Sequence, residues 1–331
     1  MPTPATDLDL FDEIPRTRAR LQEAIGRVIV GQQEVVDLLL VSLFAGGHCL
    51  FVGVPGLAKT LLVRTTASAL GLTFRRIQFT PDLMPADIIG TEVLEEDRAT
   101  GRRTMRFIEG PLFTHLLLAD EVNRTPPKTQ AALLQAMQEH AVTAGGQTRA
   151  LEPPFLVLAT QNPIEQEGTY PLPEAQLDRF MFSVYVDYPS ADEEVEVVRR
   201  TTVGDLPEVT PVVDRATLLA EQALIRSLPT SDEVVAYAVR LARATRPVEG
   251  GSELAKKWIQ WGAGPRASQY LTVGARVRAA LFGHEVPHID DVRAVATAVL
   301  AHRIVLNFEA EASGITASSL VKQLIEEVPK R

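Results

Sequence analysis

The fold is decided by a short stretch in the first quarter of the chain, where the apolar run His48-Cys49-Leu50-Phe51-Val52 leads into Gly53-Val54-Pro55-Gly56-Leu57-Ala58-Lys59-Thr60-Leu61. A short apolar run that ends in glycine and proline is typical of a buried strand. A helix is predicted to begin near Lys59, so the stretch indicates a strand, a glycine-rich loop and a helix. Backbone N–H groups at such a helix start form a binding site for phosphate groups.

The side chains of this loop add a cation and a hydroxyl to the backbone donors. Lys59 is predicted to reach the β- and γ-phosphate oxygens, and the Thr60 hydroxyl is predicted to ligate Mg²⁺. The strict phosphate-loop motif has glycine at the position of Ala58. One added methyl group still lets the loop close, but the motif alone leaves a plain strand–turn–helix open as the alternative.

A second motif lies about sixty residues downstream, where the apolar run Leu116-Leu117-Leu118-Ala119 ends in Asp120-Glu121. Two carboxylates at the end of a strand can divide two tasks, since one holds Mg²⁺ through water and the other activates an attacking water. The alternative for such a pair is helix capping. Because the phosphate loop is also present, we favour the catalytic interpretation.

The first 190 residues alternate strands and helices. Besides the strand at 48–52, strands are predicted at Thr73–Phe79, Leu116–Ala119, Phe155–Thr160 and Met181–Val186, and helices at Thr17–Ile25, Val35–Phe44 and Lys128–Glu139. Residues 1–12 are predicted to form a short mobile arm. The alternation predicts an α/β fold with a parallel five-stranded sheet covered by helices.

The pattern changes after Tyr188-Pro189, and helical spacing dominates from Val212 onward. We therefore predict an α/β core at residues 1–190 and an all-helical lid domain at residues 191–331, with the linker at Thr201–Pro211. The helices predicted for the lid are Ala216–Ser227, Ser231–Thr245, Leu254–Gly262, Arg266–Phe282 and Asp290–Ala301.

Composition and charge exclude several classes of protein. The 331 residues carry 33 basic and 42 acidic side chains, and the net charge of −9 disfavours nucleic acid as a partner. The most apolar stretch, Val35–Val54, is interrupted by Asp37 and Gly46-Gly47, so no membrane insertion is expected. Cys49 is the only cysteine, which excludes an intramolecular disulfide framework and fits a cytoplasmic protein.

Three more polar positions fit chemistry at a phosphate. Asn162 follows a predicted strand in Leu158-Ala-Thr-Gln-Asn162-Pro163, and its amide could orient the attacking water; the alternative is a simple Asn-Pro turn. Arg179 ends a short predicted helix, and Arg266 opens a helix of the lid. A guanidinium neutralises the charge that develops on a transferred phosphoryl group, whereas most arginines form surface ion pairs.

The longer motifs resemble the MoxR group of AAA+ ATPases over most of residues 28–188. They are Gln78-Phe-Thr-Pro-Asp-Leu-Met-Pro-Ala-Asp-Ile-Ile-Gly90, Glu109-Gly-Pro-Leu-Phe113, the stretch from Ala119 to Gln130, and the stretch from Ala159 to Phe180. The lid matches more loosely, through Gly264-Pro-Arg-Ala267 and Ala301-His-Arg-Ile304. Ala58 is common within this group, so it casts little doubt on ATP binding.

The resemblance implies a role for each site residue. Lys59 and Thr60 correspond to Walker A, Asp120 and Glu121 to Walker B, and Asn162 to sensor 1. Arg179 would reach a neighbouring subunit's nucleotide, Arg266 would be sensor 2, and Arg124 would be the interface residue called sensor 3. Adenine would lie against the segment that contains Gly31 and Gln32.

The resemblance also implies ATP and Mg²⁺ as cofactors and a homo-oligomeric ring, expected to be a hexamer. It predicts an insert at about 91–107 and a hairpin before sensor 1 at about 140–151. Arginines make the insert basic and favour an acidic partner surface; the alternative is a solvated hairpin face. They are Arg98, Arg102, Arg103 and Arg106.

The expected function is remodelling or maturation of a protein client, and family members often act on metalloenzymes or with von Willebrand factor A domain proteins. Two alternatives stay open, a nucleic-acid-associated motor or loader and a nucleotide-gated scaffold with little turnover. A small-molecule kinase is the least favoured class, because no motif for a substrate pocket accompanies the phosphate loop.

Overall fold

The computed structural model describes residues 6–96, 103–165, 168–204, 207–249 and 251–330. It begins with two helices, α1 (Asp7–Gly26) and α2 (Gln33–Ala45). The prediction of a mobile arm up to residue 12 is wrong from Asp7 onward, and α1 is longer than expected. Thr6 caps this helix: its hydroxyl accepts from the Asp9 amide at 3.2 Å, while the Asp9 carboxylate accepts from the Thr6 amide at 3.1 Å.

A five-stranded parallel sheet follows, in the order β2-β5-β8-β1-β9. The α/β prediction with a parallel five-stranded sheet is therefore confirmed. The elements from residue 49 to residue 202 are β1 (Cys49–Val52), α3 (Lys59–Ala69), β2 (Phe74–Gln78), α4 (Pro85–Ile89), β3 (Gly90–Glu96), β4 (Arg103–Glu109), β5 (Leu116–Asp120), α5 (Pro127–Glu139), β6 (Ala141–Ala144), β7 (Gln147–Ala150), β8 (Leu156–Gln161), α6 (Glu174–Leu177), β9 (Phe182–Tyr185) and α7 (Ala191–Thr202).

The two faces of the sheet belong to two apolar cores. Leu116 and Leu118 contribute to a core that includes α1, α2 and α3, whereas Leu117 and Ala119 contribute to a core that includes α5. This alternation follows from the two-residue period of a strand. Because helices cover both faces, the central strand β5 is apolar up to Ala119, and polar side chains follow at its carboxyl end; the edge strand β2 also carries Arg75 and Arg76.

Two antiparallel hairpins extend from this core. β3 and β4 pair from Gly90 opposite Glu109 to Glu96 opposite Arg103, so the hairpin extends one residue before and two residues beyond the range of about 91–107 predicted for the insert. β6 and β7 form the hairpin before β8, and their turn is Gly145-Gly146, with φ of 58° and 73° at the two glycines. Positive φ at both central residues matches the twist of the flanking strands, and glycine adopts it without strain.

The C-terminal part is mostly helical, but a two-stranded antiparallel ribbon interrupts it. Its elements are α8 (Arg215–Ser227), α9 (Asp232–Ala244), α10 (Glu253–Trp258), β10 (Ile259–Trp261), α11 (Pro265–Leu281), α12 (Ile289–Leu300), β11 (Val305–Leu306), α13 (Phe308–Ala312) and α14 (Ala317–Glu327). The predicted helix at Leu254–Gly262 ends early, at Trp258, because Ile259 and Trp261 pair with β11. The all-helical description of the lid is corrected to that extent.

The core of the lid is continuous with one face of the sheet. α11 packs on α2, and α8 packs on both α1 and α2. Leu218 of α8 and Leu271 of α11 belong to the same buried cluster as Phe51 of β1. The division into domains at residues 190 and 191 therefore stays a prediction. Within the described residues, no helix is both long enough and apolar enough to cross a membrane.

Candidate functional site

The loop between β1 and α3 holds two residues with left-handed backbone, Gly56 with φ of 89° and Ala58 with φ of 56°. These conformations turn the chain so that the N-terminus of α3 faces the cleft at the carboxyl end of the sheet. Gly53 is required for another reason: a Cβ there would lie 2.6 Å from the carbonyl oxygen of Val186. The loop conformation thus depends on a close approach to the end of β9.

One cleft of about 400 Å³ brings the two sequence motifs together. Its walls include every loop residue from Pro55 to Leu61, together with Asp120, Glu121 and Asn162. The Lys59 ammonium donates to the carbonyls of Gly53 and Val54, the latter at 3.0 Å. Burial lowers the pKa of Lys59, and the carboxylates of Asp120 and Glu121 oppose this shift.

Asp120 ends β5 with both carboxylate oxygens engaged. Oδ1 accepts from the Thr160 hydroxyl at 2.5 Å, and Oδ2 accepts from the Arg76 guanidinium, from Nε at 3.0 Å and from Nη2 at 2.6 Å. Thr60, in the first turn of α3, lines the same cleft. A hydroxyl and a carboxylate across a cleft are oxygen donors of the kind that Mg²⁺ prefers.

Glu121 has left-handed backbone, with φ of 54°, and its amide donates to the Thr160 hydroxyl at 2.8 Å. Its side-chain oxygen Oε2 accepts from the Gln78 amide at 2.7 Å and from the Arg124 guanidinium at 3.2 Å. A non-glycine residue with positive φ is uncommon, and such strain collects at functional sites. Hydrogen bonds from two side chains of the same chain, Gln78 and Arg124, thus hold this carboxylate at the cleft.

Asn162 follows β8 and is 5% exposed. Its Oδ1 accepts from the amide of Ile164 at 3.2 Å, whereas its Nδ2 is buried without a hydrogen-bond partner. An unpartnered buried donor is costly unless a ligand or water satisfies it. Because Asn162 and Lys59 line the same cleft, this donor fits an anionic oxygen or a water held there.

A second, more apolar cleft of about 130 Å³ adjoins the loop at Gly56, Leu57 and Ala58. Gln32 lines it and donates from Nε2 to the carbonyl of Leu57 at 3.3 Å, while its Oε1 is buried without a partner. Gly31 has φ of 65°, and a Cβ there would lie 2.0 Å from Oε1 of Glu193 on α7. A mostly apolar cleft beside an unpartnered amide oxygen fits a purine base that carries an amino group.

Arg179 and Arg266 line neither of these clefts. They line a separate cavity of about 230 Å³, together with His140 and Tyr270. Arg266 donates to Oδ2 of Asp178 at 2.9 Å, and the buried Arg303 donates to Oδ1 of the same carboxylate at 2.9 Å. Asp178 therefore joins the end of the sheet domain to the lid and brings the two predicted arginines together.

Sequence reasoning missed four contributors to these sites. Arg76 and Gln78 are on β2, Thr160 is on β8, and Arg303 is in the lid. Two of the four lie in motifs that carry the family resemblance: Gln78 opens one motif, and Arg303 lies in the stretch from Ala301 to Ile304. That resemblance was the signal that could have identified them. Arg76 and Thr160 carried no local signal of a contact with Asp120, because their positions are about forty residues away in the chain. Helix α7, which lines the second cleft, was not predicted either.

Comparisons with known proteins agree with this architecture. A model of the ATPase family associated with various cellular activities (AAA) matches residues 48–182, and a model of the AAA lid domain matches residues 252–324. A crystal structure of a candidate ATPase from Cytophaga hutchinsonii superposes with a TM-score of 0.90 at 41% identity, over 97% of each chain. The fold and its nucleotide-type cleft define the class as AAA+ ATPases.

Curated relatives give the family within this class. The chain is 44% identical to "Chaperone MoxR1" of Mycobacterium tuberculosis, over 92% of this chain and 80% of the relative. It is 32% identical to "Protein MoxR" of Methylorubrum extorquens, over 94% of each chain. The chain belongs to the MoxR family of AAA+ ATPases.

Proposed function

We propose that this protein is a Mg²⁺-dependent ATP hydrolase that works as a homo-oligomeric ring on protein clients. The observation that carries the proposal is the buried, unpartnered Nδ2 of Asn162, which lies in the same cleft as Lys59 and Asp120. A donor in that position needs a polar ligand, and a γ-phosphate with its attacking water supplies one. The hydrogen-bond donors on the walls of the cleft fit a triphosphate, and the oxygens of Thr60 and Asp120 fit its metal.

The roles within the cleft follow from its chemistry. The loop amides and Lys59 would bind the phosphates, and Thr60 and Asp120 would hold the metal. Mg²⁺ would neutralise charge on the β- and γ-phosphate oxygens. Glu121 would accept a proton from the attacking water, and the Asn162 amide would orient that water. Gln78 and Arg124 both donate to Oε2 of Glu121, so the other carboxylate oxygen, Oε1, would take that proton.

The second, more apolar cleft, which Gln32 lines, supports adenine as the base of the nucleotide. The free acceptor Oε1 of Gln32 suits the exocyclic amine of adenine, whereas guanine presents a carbonyl at the corresponding position. Two like acceptors facing each other would leave both unsatisfied, at a cost of roughly 1–3 kcal/mol. We therefore propose that Gly31 and Gln32 line the base site and that Gln32 favours ATP over GTP.

The second cavity supports a site shared between subunits. Arg179 and Arg266 line a cavity separate from the phosphate cleft of their own chain, which supports a role for Arg179 at a nucleotide that another copy presents. This arrangement makes assembly part of catalysis, and we propose a ring, expected to be a hexamer. Arg124, which contacts Glu121 and lies 3.6 Å from Glu165, would connect the cleft with the neighbouring subunit.

A protein client is supported by the relative named a chaperone and by the two hairpins. Candidate partners include von Willebrand factor A domain proteins.

Nucleic acid is disfavoured by the net charge of −9. In the insert, Arg103 pairs with Glu96 and Arg106 with Glu95, which supports a solvated hairpin face; Arg98 and Arg102 lie outside the described residues. We propose a cytoplasmic location from the single cysteine.

The test is ATP turnover as a function of protein concentration, with and without Mg²⁺, while the oligomeric mass is measured in parallel. Glu121→Gln should bind ATP normally and lose about 10²–10⁴-fold in kcat, because only proton transfer is removed. Lys59→Ala should weaken ATP binding by about 10- to 100-fold, the effect of losing a charged hydrogen-bond donor. The matched control is Glu139→Gln, an exposed carboxylate on α5.

Three outcomes would contradict the proposal. Normal hydrolysis by Glu121→Gln would remove its assigned role, and unchanged ATP affinity in Lys59→Ala would remove the phosphate site. Tight ATP binding without turnover at every protein concentration would favour the nucleotide-gated scaffold.

A further inference from the structure

The carboxylate that is proposed to hold the metal already has a cationic partner in its own chain. Arg76 donates twice to Oδ2 of Asp120, at 2.6 and 3.0 Å, while Thr160 donates to Oδ1. Arg76 lies on β2, the edge strand of the sheet, and its side chain lines the phosphate cleft. A guanidinium and a hydrated Mg²⁺ cannot both occupy the space in front of this oxygen.

We propose that Arg76 is a positioning residue that competes with Mg²⁺ for Asp120 and must leave this carboxylate when the metal arrives with ATP. The inference rests on the proposed function, since it takes Asp120 as the metal-side carboxylate. It adds a residue of this chain that sets how strongly nucleotide binding depends on the metal.

Exposure decides which partner of Asp120 gives way. The Thr160 side chain belongs to a buried residue, 2% exposed, on a central strand. The Arg76 side chain is 48% exposed at the edge of the sheet, so it can turn into solvent without moving the backbone. Exposed ion pairs are weak, and a divalent ion outcompetes a single guanidinium for a carboxylate beside a triphosphate.

The departure of Arg76 would also act on Glu121. Nη2 of Arg76 donates to Oε1 of Gln78 at 2.7 Å, and Nε2 of Gln78 donates to Oε2 of Glu121 at 2.7 Å. When Arg76 turns away, the Gln78 carbonyl loses its donor, and the Gln78 amide becomes free to rotate. Metal binding at Asp120 would thereby weaken the hydrogen bond from Gln78 to Glu121, the carboxylate that is proposed to activate water, while the contact with Arg124 remains.

The test compares the affinity of a non-hydrolysable ATP analogue with Mg²⁺ and with EDTA, by calorimetry on the full chain. The quantity of interest is the ratio of the two affinities. Arg76→Gln should raise this ratio by about two- to fivefold over wild type, the range that an exposed ion pair is worth. Arg76→Lys keeps the charge and loses the double contact, so its ratio should fall between the two.

The control is Arg75→Gln, the adjacent arginine on the same strand. Successive side chains of a strand point to opposite faces, and among the described residues Arg75 forms no ion pair. This variant removes the same charge from the same segment, and its ratio should equal that of wild type. Mn²⁺ binding in the presence of the analogue, followed by electron paramagnetic resonance, gives a second readout and should tighten only in the Arg76 variants.

The possible failures are distinguishable. If the ratio of affinities in Arg76→Gln equals that of wild type, the proposed competition is wrong. If this ratio falls, or if the variant binds the analogue more weakly overall, Arg76 contacts the phosphates instead. Asp120→Asn is the reference for the metal site itself and should lower the ratio. If it does not, or if Mg²⁺ has no effect on wild type, the proposed Mg²⁺–ATP site fails and the competition fails with it.

Discussion

At the scale of single residues, Ala58 holds a conformation that glycine adopts more easily. Its φ of 56° places Cβ close to the following carbonyl, which strains an L-residue. The strain is tolerated because the loop must present its amides to the cleft, and the close approach of Gly53 to Val186 fixes the other end of the loop.

Ala58→Gly should therefore stabilise the protein without loss of ATP binding. We expect a gain of about 0.5–1 kcal/mol in unfolding free energy, because the relief of strain exceeds the added entropy of the unfolded chain. Denaturant unfolding without nucleotide measures it. The matched control is Ala67→Gly within α3, where the backbone is helical and the same change should cost about 1 kcal/mol. A loss of stability in both variants would contradict the strain at Ala58.

At the scale of elements, α1 and α8 meet at a buried carboxyl group. Glu221 is fully buried, its Oε1 accepts from the Thr17 hydroxyl at 2.7 Å, and its Oε2 has no hydrogen-bond partner. Burial raises the pKa of Glu221 to about 7, although Thr17 and Arg20 oppose the shift; Glu13 adds to it. The contact joins the N-terminal helix to the lid, so its protonation affects how firmly they pack.

The pH dependence of stability follows from this shift. The folded pKa lies above the unfolded value of 4.5, so the folded state binds more protons between pH 4.5 and about 7. The stability contributed by the neutral group is present at low pH and is lost as the pH rises through about 7. The unfolding free energy of wild type should fall between pH 5 and pH 8, whereas that of Glu221→Gln should not. The difference between the two should therefore shift in favour of the variant by up to about 3 kcal/mol.

Denaturation midpoints at pH 5 and pH 8 test this expectation. The control is Glu311→Gln, the same change at an exposed residue of α13, which should show no such difference between the two pH values. Equal behaviour of the two variants would mean that Glu221 is ionised in the folded protein at pH 5.

At the scale of the whole molecule, Arg179 and Arg266 line a cavity separate from the phosphate cleft, and we propose that Arg179 completes the site of another copy. The lid holds this grouping in place, because Arg303 and Arg266 both bind Asp178. On this proposal, a single chain lacks one residue of its own active site and takes it from a neighbouring copy.

Mixed assemblies test this arrangement directly. Arg179→Ala and Lys59→Ala should each be inactive, and mixing them in equal amounts should restore activity at about a quarter of the interfaces, those with both an intact cleft and an intact arginine. A mixture of Glu121→Gln with Lys59→Ala is the control and should recover nothing, because both defects lie in the same cleft. Failure of the first mixture at every ratio would contradict action between subunits.

Most of the fold and of the phosphate cleft was predicted from motifs that are contiguous in the sequence. The alternation of strands and helices predicted the parallel sheet, and the segments at 53–61 and 116–121 predicted the two walls of the cleft, because a glycine loop or a strand end has a local backbone geometry that neighbouring residues specify. Most lid helices were predicted from spacing for the same reason. Asn162 was found because strand ends of a parallel sheet meet at one edge.

The remaining features depend on contacts between distant segments, which a single sequence does not encode locally. Arg76 meets Asp120 only because β2 pairs with β5 in a particular register, with Gln78 opposite Asp120. The predicted helix ends at Trp258 because Ile259 pairs with Leu306, nearly fifty residues away. Arg179 and Arg266 lie together because α11 packs on α2 and Arg266 donates to Asp178, the residue next to Arg179 and 88 positions away from Arg266 in the chain.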